Sequence, residues 1–205
     1  MSFLKFRKTF FELGCFNINQ VYAWHPEFDR NNLTRWVKRG LLVHLKQGYY
    51  SFPEYKRMAY YAFYIANRIY RPSYISLHTA LSHYGIIPEA VVQITSVTTM
   101  KTAAFTNEFG DYSYKSVKEN LFFGYDLKQF DDGKALLIAT PEKAILDLLY
   151  LYPFYSTEFE LLGLRLNEEF IRKELNLKLL NRMCSQYKNK ALEERARLLI
   201  KAYKL

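Results

Sequence analysis

Only two cysteines, Cys15 and Cys184, occur in 205 residues, and they lie far apart. Neither has a second ligand at metal spacing, so neither a Cys-x-x-Cys zinc site nor a disulfide scaffold is expected. Histidine is also scarce. His78 and His83 are five residues apart, whereas a zinc-type pair takes i, i+4 so that both imidazoles share one helix face. They read as packed or surface residues. No run approaches the roughly 18 apolar residues of a membrane span. The opening stretch MSFLKFRKTFFEL scatters charges where a signal peptide has an unbroken apolar segment. The protein is therefore expected in the cytoplasm, without a membrane partner. Gly-x-Ser-x-Gly, the P-loop and Gly-x-Gly-x-x-Gly are all missing. So is the Gly-Ser followed by Asp-x-Asp/Glu with which a nucleotidyltransferase holds its metals. With no catalytic constellation, cofactor motif or metal site in the sequence, an enzyme is not expected.

What is present is apolar bulk and positive charge. Half the residues are hydrophobic and 18% are aromatic, which is incompatible with a disordered chain. The net charge is +9. Residues 1–57 hold ten Lys/Arg against four Asp/Glu, and residues 58–205 hold nineteen against sixteen. Two-thirds of the excess thus sits in the first quarter of the chain, an electrostatic footprint for a polyanion.

That basic quarter contains FDRNNLTRWVKRGLLVHLKQGYYSF, from Phe28 to Phe52. Asp29 is a good N-cap, and Phe28 and Leu33 sit at hydrophobic-staple positions. Leu33, Trp36 and Val37 make one apolar stripe, and Gly40 is a natural C′ residue. Leu41, Val43 and Leu45 then alternate with Leu42, His44 and Lys46, Lys46-Gln47-Gly48 turns the chain, and Tyr49 to Phe52 returns as a second strand. Upstream, Phe3 to Leu13 reads as a helix ended by Gly14, and Asn17 caps a second one, Ile18 to Trp24. Three helices and a basic hairpin are the parts of a winged helix-turn-helix, whose last helix enters the major groove while the hairpin touches the adjacent backbone. On this reading Asn31, Asn32, Thr34, Arg35 and Lys38 line the groove face. Their amide and guanidinium groups can pair with adenine and guanine edges. Arg39, Lys46 and Gln47 are expected at phosphates or the minor groove.

Pro53 marks a joint, giving an N-terminal module at residues 1–53 and a second domain at 54–205. An aromatic helix is expected from Glu54 to Tyr70, and another from Leu77 to Tyr84 capped by Ser76. Val91–Thr99, Lys101–Phe109, Tyr112–Val117, Leu121–Tyr125 and Ala135–Ala139 read as strands of a mostly antiparallel sheet, with Asp131-Asp132-Gly133 as a turn. Thr140-Pro141 starts a helix whose buried face is Ala144, Ile145, Leu148 and Leu149. Asp147, near that face, reads as a buried, paired acid. Glu142 is explained by the helix dipole. After Pro153 the chain reads as helices near 168–175, 177–187 and 191–203. The fold class is α+β: a winged helix-turn-helix, then a sheet packed with helices and a helical C-terminus.

SYISLHTALSHYGIIPEAVVQITSVTT at 73–99, FFGYD at 122–126 and ATPEKAILDLLYL at 139–151 resemble the abortive-infection AbiEi antitoxin family. The RGLL…L…GYY pattern from Arg39 to Tyr50 is similar to that family's DNA-binding module. The resemblance covers roughly residues 1–155. It implies a bacterial phage-defence antitoxin of a type IV toxin–antitoxin pair. Such a protein represses its own operon by binding double-stranded DNA at inverted repeats, and counters a nucleotidyltransferase-like toxin without needing to touch it. Two other classes stand beside this one. One is a nucleic-acid-processing enzyme targeted by the winged helix, in which Asp131, Asp132, Glu142 or Asp147 would be needed. The other is a winged helix that binds protein rather than DNA.

Overall fold

The computed structural model describes residues 1–58, 60–130 and 132–205. Asp131, one acid of the expected turn, lies outside them. The fold is α+β, with helices around a mixed sheet.

The first unit follows local rules closely. Helix α1 (Phe3–Phe10) is capped by the Ser2 hydroxyl and continues as a 3-10 turn to Leu13. Gly14 then takes φ +68°, and its missing Cβ leaves room for the Tyr61 hydroxyl, which would lie 2.1 Å from one. Strand β1 (Cys15–Asn17) leads into α2 (Ile18–Trp24), where Asn17 and Gln20 form a reciprocal capping box. Before α3 (Asn31–Lys38), Asp29 Oδ1 accepts from the Asn31 amide at 2.9 Å. At its far end Gly40, at φ +68°, closes a Schellman motif: its N–H donates to Val37 O and that of Leu41 to Trp36 O, both at 2.9 Å. Strands β2 (Val43–Lys46) and β3 (Tyr49–Ser51) form the hairpin, and β1 adds to β3, giving an antiparallel sheet ordered β1-β3-β2. The core of this unit is aromatic. Phe6 lies 4.7 Å from both Phe10 and Trp36, and 5.5 Å from Phe16, between ring centroids.

The helix expected from Glu54 to Tyr70 is interrupted. Pro53–Arg57 is a 3-10 turn, and α4 runs only from Tyr61 to Ile69. Tyr60 has φ +59°, off the helical path. Contacts to the first unit explain the break: Tyr55 donates to Phe11 O at 2.6 Å and its ring stacks on Tyr61 at 4.4 Å.

The large sheet has six strands ordered β6-β7-β5-β4-β9-β8. They are β4 (Ser73–Ile75), β5 (Gln93–Thr98), β6 (Ala103–Asn107), β7 (Gly110–Ser116), β8 (Tyr125–Gln129) and β9 (Ala135–Ala139). The sheet is mixed: three of its five pairings are antiparallel, β4 with β5, β6 with β7 and β8 with β9, while β5 runs parallel to β7 and β4 parallel to β9. Strand β4 was not expected at all, because three residues are too few to show alternation. Nor is Leu121–Tyr125 a strand. Glu119–Leu121 is a 3-10 turn, Gly124 takes φ +72°, and the strand begins at Tyr125.

Successive strand residues face opposite sides. In β4, Tyr74 therefore faces α6 (Pro141–Leu151) and Ser73 faces α4. Helix α6 is buried from Glu142 to Leu149 and opens on the expected Thr140 cap. It packs against α5 (Leu77–His83), with α9 (Leu177–Gln186) and α10 (Lys190–Ala202) on its other sides. Short helices α7 (Glu158–Leu162) and α8 (Glu168–Lys173) lie between. Asp147 is buried and paired, as its place on the helix implied. Its carboxylate meets Lys143 Nζ at 2.7 Å and accepts from Tyr74, Ser76 and Tyr187 hydroxyls at 2.7–2.9 Å.

Candidate nucleic-acid interface

Helix α3 is held by one side and presents the other. Leu33 and Trp36 are buried, and Trp36 lies edge-on to Phe3 at 5.2 Å and near Phe28 at 6.0 Å. The 3.6-residue period then leaves Asn31, Thr34, Arg35 and Lys38 exposed, with Arg39 beyond them and Asn32 half-buried. Five of the residues assigned to the groove face thus share one amphipathic helix. A shallow concavity between Asn32, Arg35, Trp36, Lys38 and Arg39 marks the same surface.

Arg35 is pre-positioned. Its Nη2 donates to Asn32 Oδ1 at 2.8 Å and to Asp29 Oδ2 at 3.2 Å. The pair with Asp29 is more than half exposed on both sides, so it orients the guanidinium at little energetic cost to its release. Lys38 and Arg39 have no carboxylate partner among the described residues.

The hairpin divides its two candidates. Gln47 is exposed at the tip, beside Gly48 at φ +79°. Lys46 goes elsewhere: its ammonium donates to Ile69 O at 3.2 Å and sits 4.4 Å from the Tyr70 and Phe105 ring centroids. Burial there holds its pKa below the usual lysine value. It is engaged by the second unit because β2 runs alongside β6, where Asn107 Nδ2 also donates to Leu45 O at 3.2 Å. Lys46 is therefore not one of the free cations of the α3 surface. Arg30, exposed at the start of α3, is one that was not singled out. Its position next to a cap residue is the signal that would have found it.

The remaining acids and histidines do not converge. Asp132 pairs with Lys134 at 2.7 Å, Glu142 accepts from the Asn176 amide at 2.9 Å, and Asp147 is enclosed in the core. His78 Nε2 lies 3.2 Å from the Tyr155 hydroxyl, while His83 sits among Tyr60, Phe63 and Tyr84. Among the described residues no group of three His, Cys, Asp or Glu is placed to hold a metal ion, and no helix is long and apolar enough to cross a membrane. Compared with known proteins, the chain matches no family model and no curated protein.

Proposed function

We propose that the first unit is a winged helix and that the protein is a DNA-binding transcriptional autoregulator. The single observation that carries this reading is the outward face of α3, where Asn31, Thr34, Arg35, Lys38 and Arg39 stand exposed beside a hairpin. The order helix, strand, helix, helix, hairpin supports it, as does the concentration of positive charge in residues 1–57. In such a unit α3 lies in the major groove, Arg35 and the asparagines meet base edges, and Lys38, Arg39 and Gln47 meet phosphates. The sequence resemblance extends the proposal. The protein is the antitoxin of an AbiEi-like type IV pair, acting in the cytoplasm at inverted repeats of its own operator and opposing a nucleotidyltransferase-like toxin.

The test is a gel shift and footprint on the DNA upstream of the gene, titrated with salt and competed with unrelated DNA. A protected inverted repeat is expected, with affinity falling steeply as salt rises. Arg35→Ala with Lys38→Ala should abolish the footprint while leaving the melting temperature near that of the wild type. Retained binding would remove α3 from the groove. Co-expression with an adjacent nucleotidyltransferase-like gene tests the antitoxin half separately: growth should be rescued, and continued toxicity would refute it.

A further inference from the structure

A cavity of about 560 Å³ opens between the 3-10 turn after α1, helix α4 and strands β4 and β9. Glu12 and Leu13 contribute to it from the first unit, and Asn67, Arg68, Arg71 and Ser73 from the second. A smaller pocket on the first-unit side, lined by Cys15 and Asn17, shares Arg68 and Arg71. The two guanidiniums thus stand at a junction of two openings. Neither has a carboxylate partner within ion-pair distance among the described residues. Arg71 Nε donates to Asn67 O at 3.2 Å, and Arg68 lies 5.4 Å from the Tyr64 ring centroid. Burial, and then the charge of Arg68, pull the Arg71 pKa down. Two like charges therefore share these openings, and Glu12, which also lines the larger one, is not within ion-pair distance of either among the described residues.

Asn67 and Ser73 line the same cavity, together with Glu12 and Lys134. Asn67 is 7% exposed and Ser73 is 2% exposed. Asn67 Oδ1 accepts from the Leu137 amide, which fixes the orientation of the amide, and its Nδ2 then has no partner; neither does Ser73 Oγ. Buried donors are nearly always satisfied, so an orphaned pair beside two arginines calls for an acceptor-rich group. A phosphate monoester supplies several oxygens and the charge, and guanidiniums bind it bidentately. The volume falls within the range of small-molecule sites and exceeds what a bare phosphate fills. Leu13, Tyr64, Leu127 and Leu137 give the remaining wall its apolar part, while Glu12 and Lys134, the latter paired with Asp132, are its charged members.

We infer that this cleft binds a small phosphorylated molecule, its phosphate held by Arg68, Arg71, Asn67 and Ser73 and its partly apolar body lying against Tyr64, Leu127 and Leu137. The site is separate from the α3 face and stands or falls independently of the DNA reading.

Isothermal titration of the full chain with adenosine 5′-monophosphate, phenyl phosphate, inorganic phosphate and adenosine tests it. At least one of the two monoesters should bind saturably, more tightly than inorganic phosphate, and adenosine should not bind. Arg68→Gln with Arg71→Gln should weaken that binding by about tenfold or more. Ser73→Ala should weaken it by a smaller factor with an unchanged melting temperature, and Arg35→Ala with Lys38→Ala should not change it. Absence of saturable binding by both monoesters at millimolar concentration would overturn the proposal. So would undiminished binding in the double glutamine variant. Loss of DNA affinity in that variant without any monoester binding would instead make the arginines part of a nucleic-acid surface, and would overturn it equally.

Discussion

Asp147 is the residue with the most to lose. Its carboxylate is fully buried and meets one ammonium and three hydroxyls, so its desolvation is offset by a complete set of partners. Asp147→Ala leaves Lys143 charged and buried beside Leu121 O and the Tyr187 hydroxyl alone, and should cost about 3–5 kcal/mol in urea unfolding. Tyr187→Phe removes one bond to a charged acceptor and should cost about 1.5–3 kcal/mol. If the two variants lose the same amount, the ion pair is not the centre of the network. His78 gives a pH signature. Burial holds its pKa below the usual 6.5, with Glu89 opposing more weakly. The unfolded chain takes up this proton near the usual value and the folded chain resists it. The contribution is thus fully present above about pH 6.5 and is lost as pH falls through that value towards the folded pKa. Between about pH 7.5 and pH 5.5 the wild type should lose more stability than His78→Gln; equal losses would show that His78 titrates freely.

At the scale of elements, the sequence was most legible where one residue does one local job. Asn17, Gly40 and Thr140 cap or terminate helices where their chemistry says they should, and Asp29, one residue ahead of the Arg30 cap position of α3, still accepts from the Asn31 amide. It was least legible where distant contacts override local pattern. Tyr60 leaves the helical path within a stretch of helical periodicity, and β4 is too short to announce itself. Parallel pairing of β4 with β9 joins segments more than sixty residues apart. The same division runs through the candidate sites. The α3 face was readable from a 3.6-residue period, whereas the diversion of Lys46 depends on Phe105 in β6. Arg68, Arg71 and Ser73 are neighbours in sequence, but the closing of a cavity over them by Glu12, Leu13, Leu127 and Leu137 is a product of topology, which spacing along the chain does not encode. A prediction separates the two lysines. On the DNA reading, Lys38→Ala should lower the slope of log affinity against log salt by about one. Lys46→Ala should leave that slope unchanged and lower the melting temperature instead. A slope change in Lys46→Ala would return that residue to the DNA surface.

For the whole molecule, the contact between the two sheets behaves as core. Tyr55 and Tyr64, both after Pro53, donate to Phe11 O at 2.6 Å and to Leu13 O at 2.9 Å in the first unit. A single unfolding transition is expected, with fluorescence and far-UV circular dichroism coinciding. Gly14→Ala should destabilise the entire protein, because the new Cβ meets the Tyr61 hydroxyl and its φ of +68° disfavours any side chain. Tyr61→Phe should relieve part of that loss, since the clashing oxygen is gone. Two separate transitions, or a Gly14→Ala effect confined to one of them, would show that the units are independent.

The tyrosine hydroxyls that reach back to the carbonyls after α1 bear on modularity. A graft ending at Pro53 would carry Phe11 O and Leu13 O without their donors, and would uncover the Phe11 and Phe52 rings that Tyr55 and its neighbours shield. The portable piece of this protein extends through Ile69, so that the helix following the hairpin travels with it. Any chimera, truncation or recombination that respects only the visible hairpin would inherit α3 and its hairpin without the support that keeps them folded.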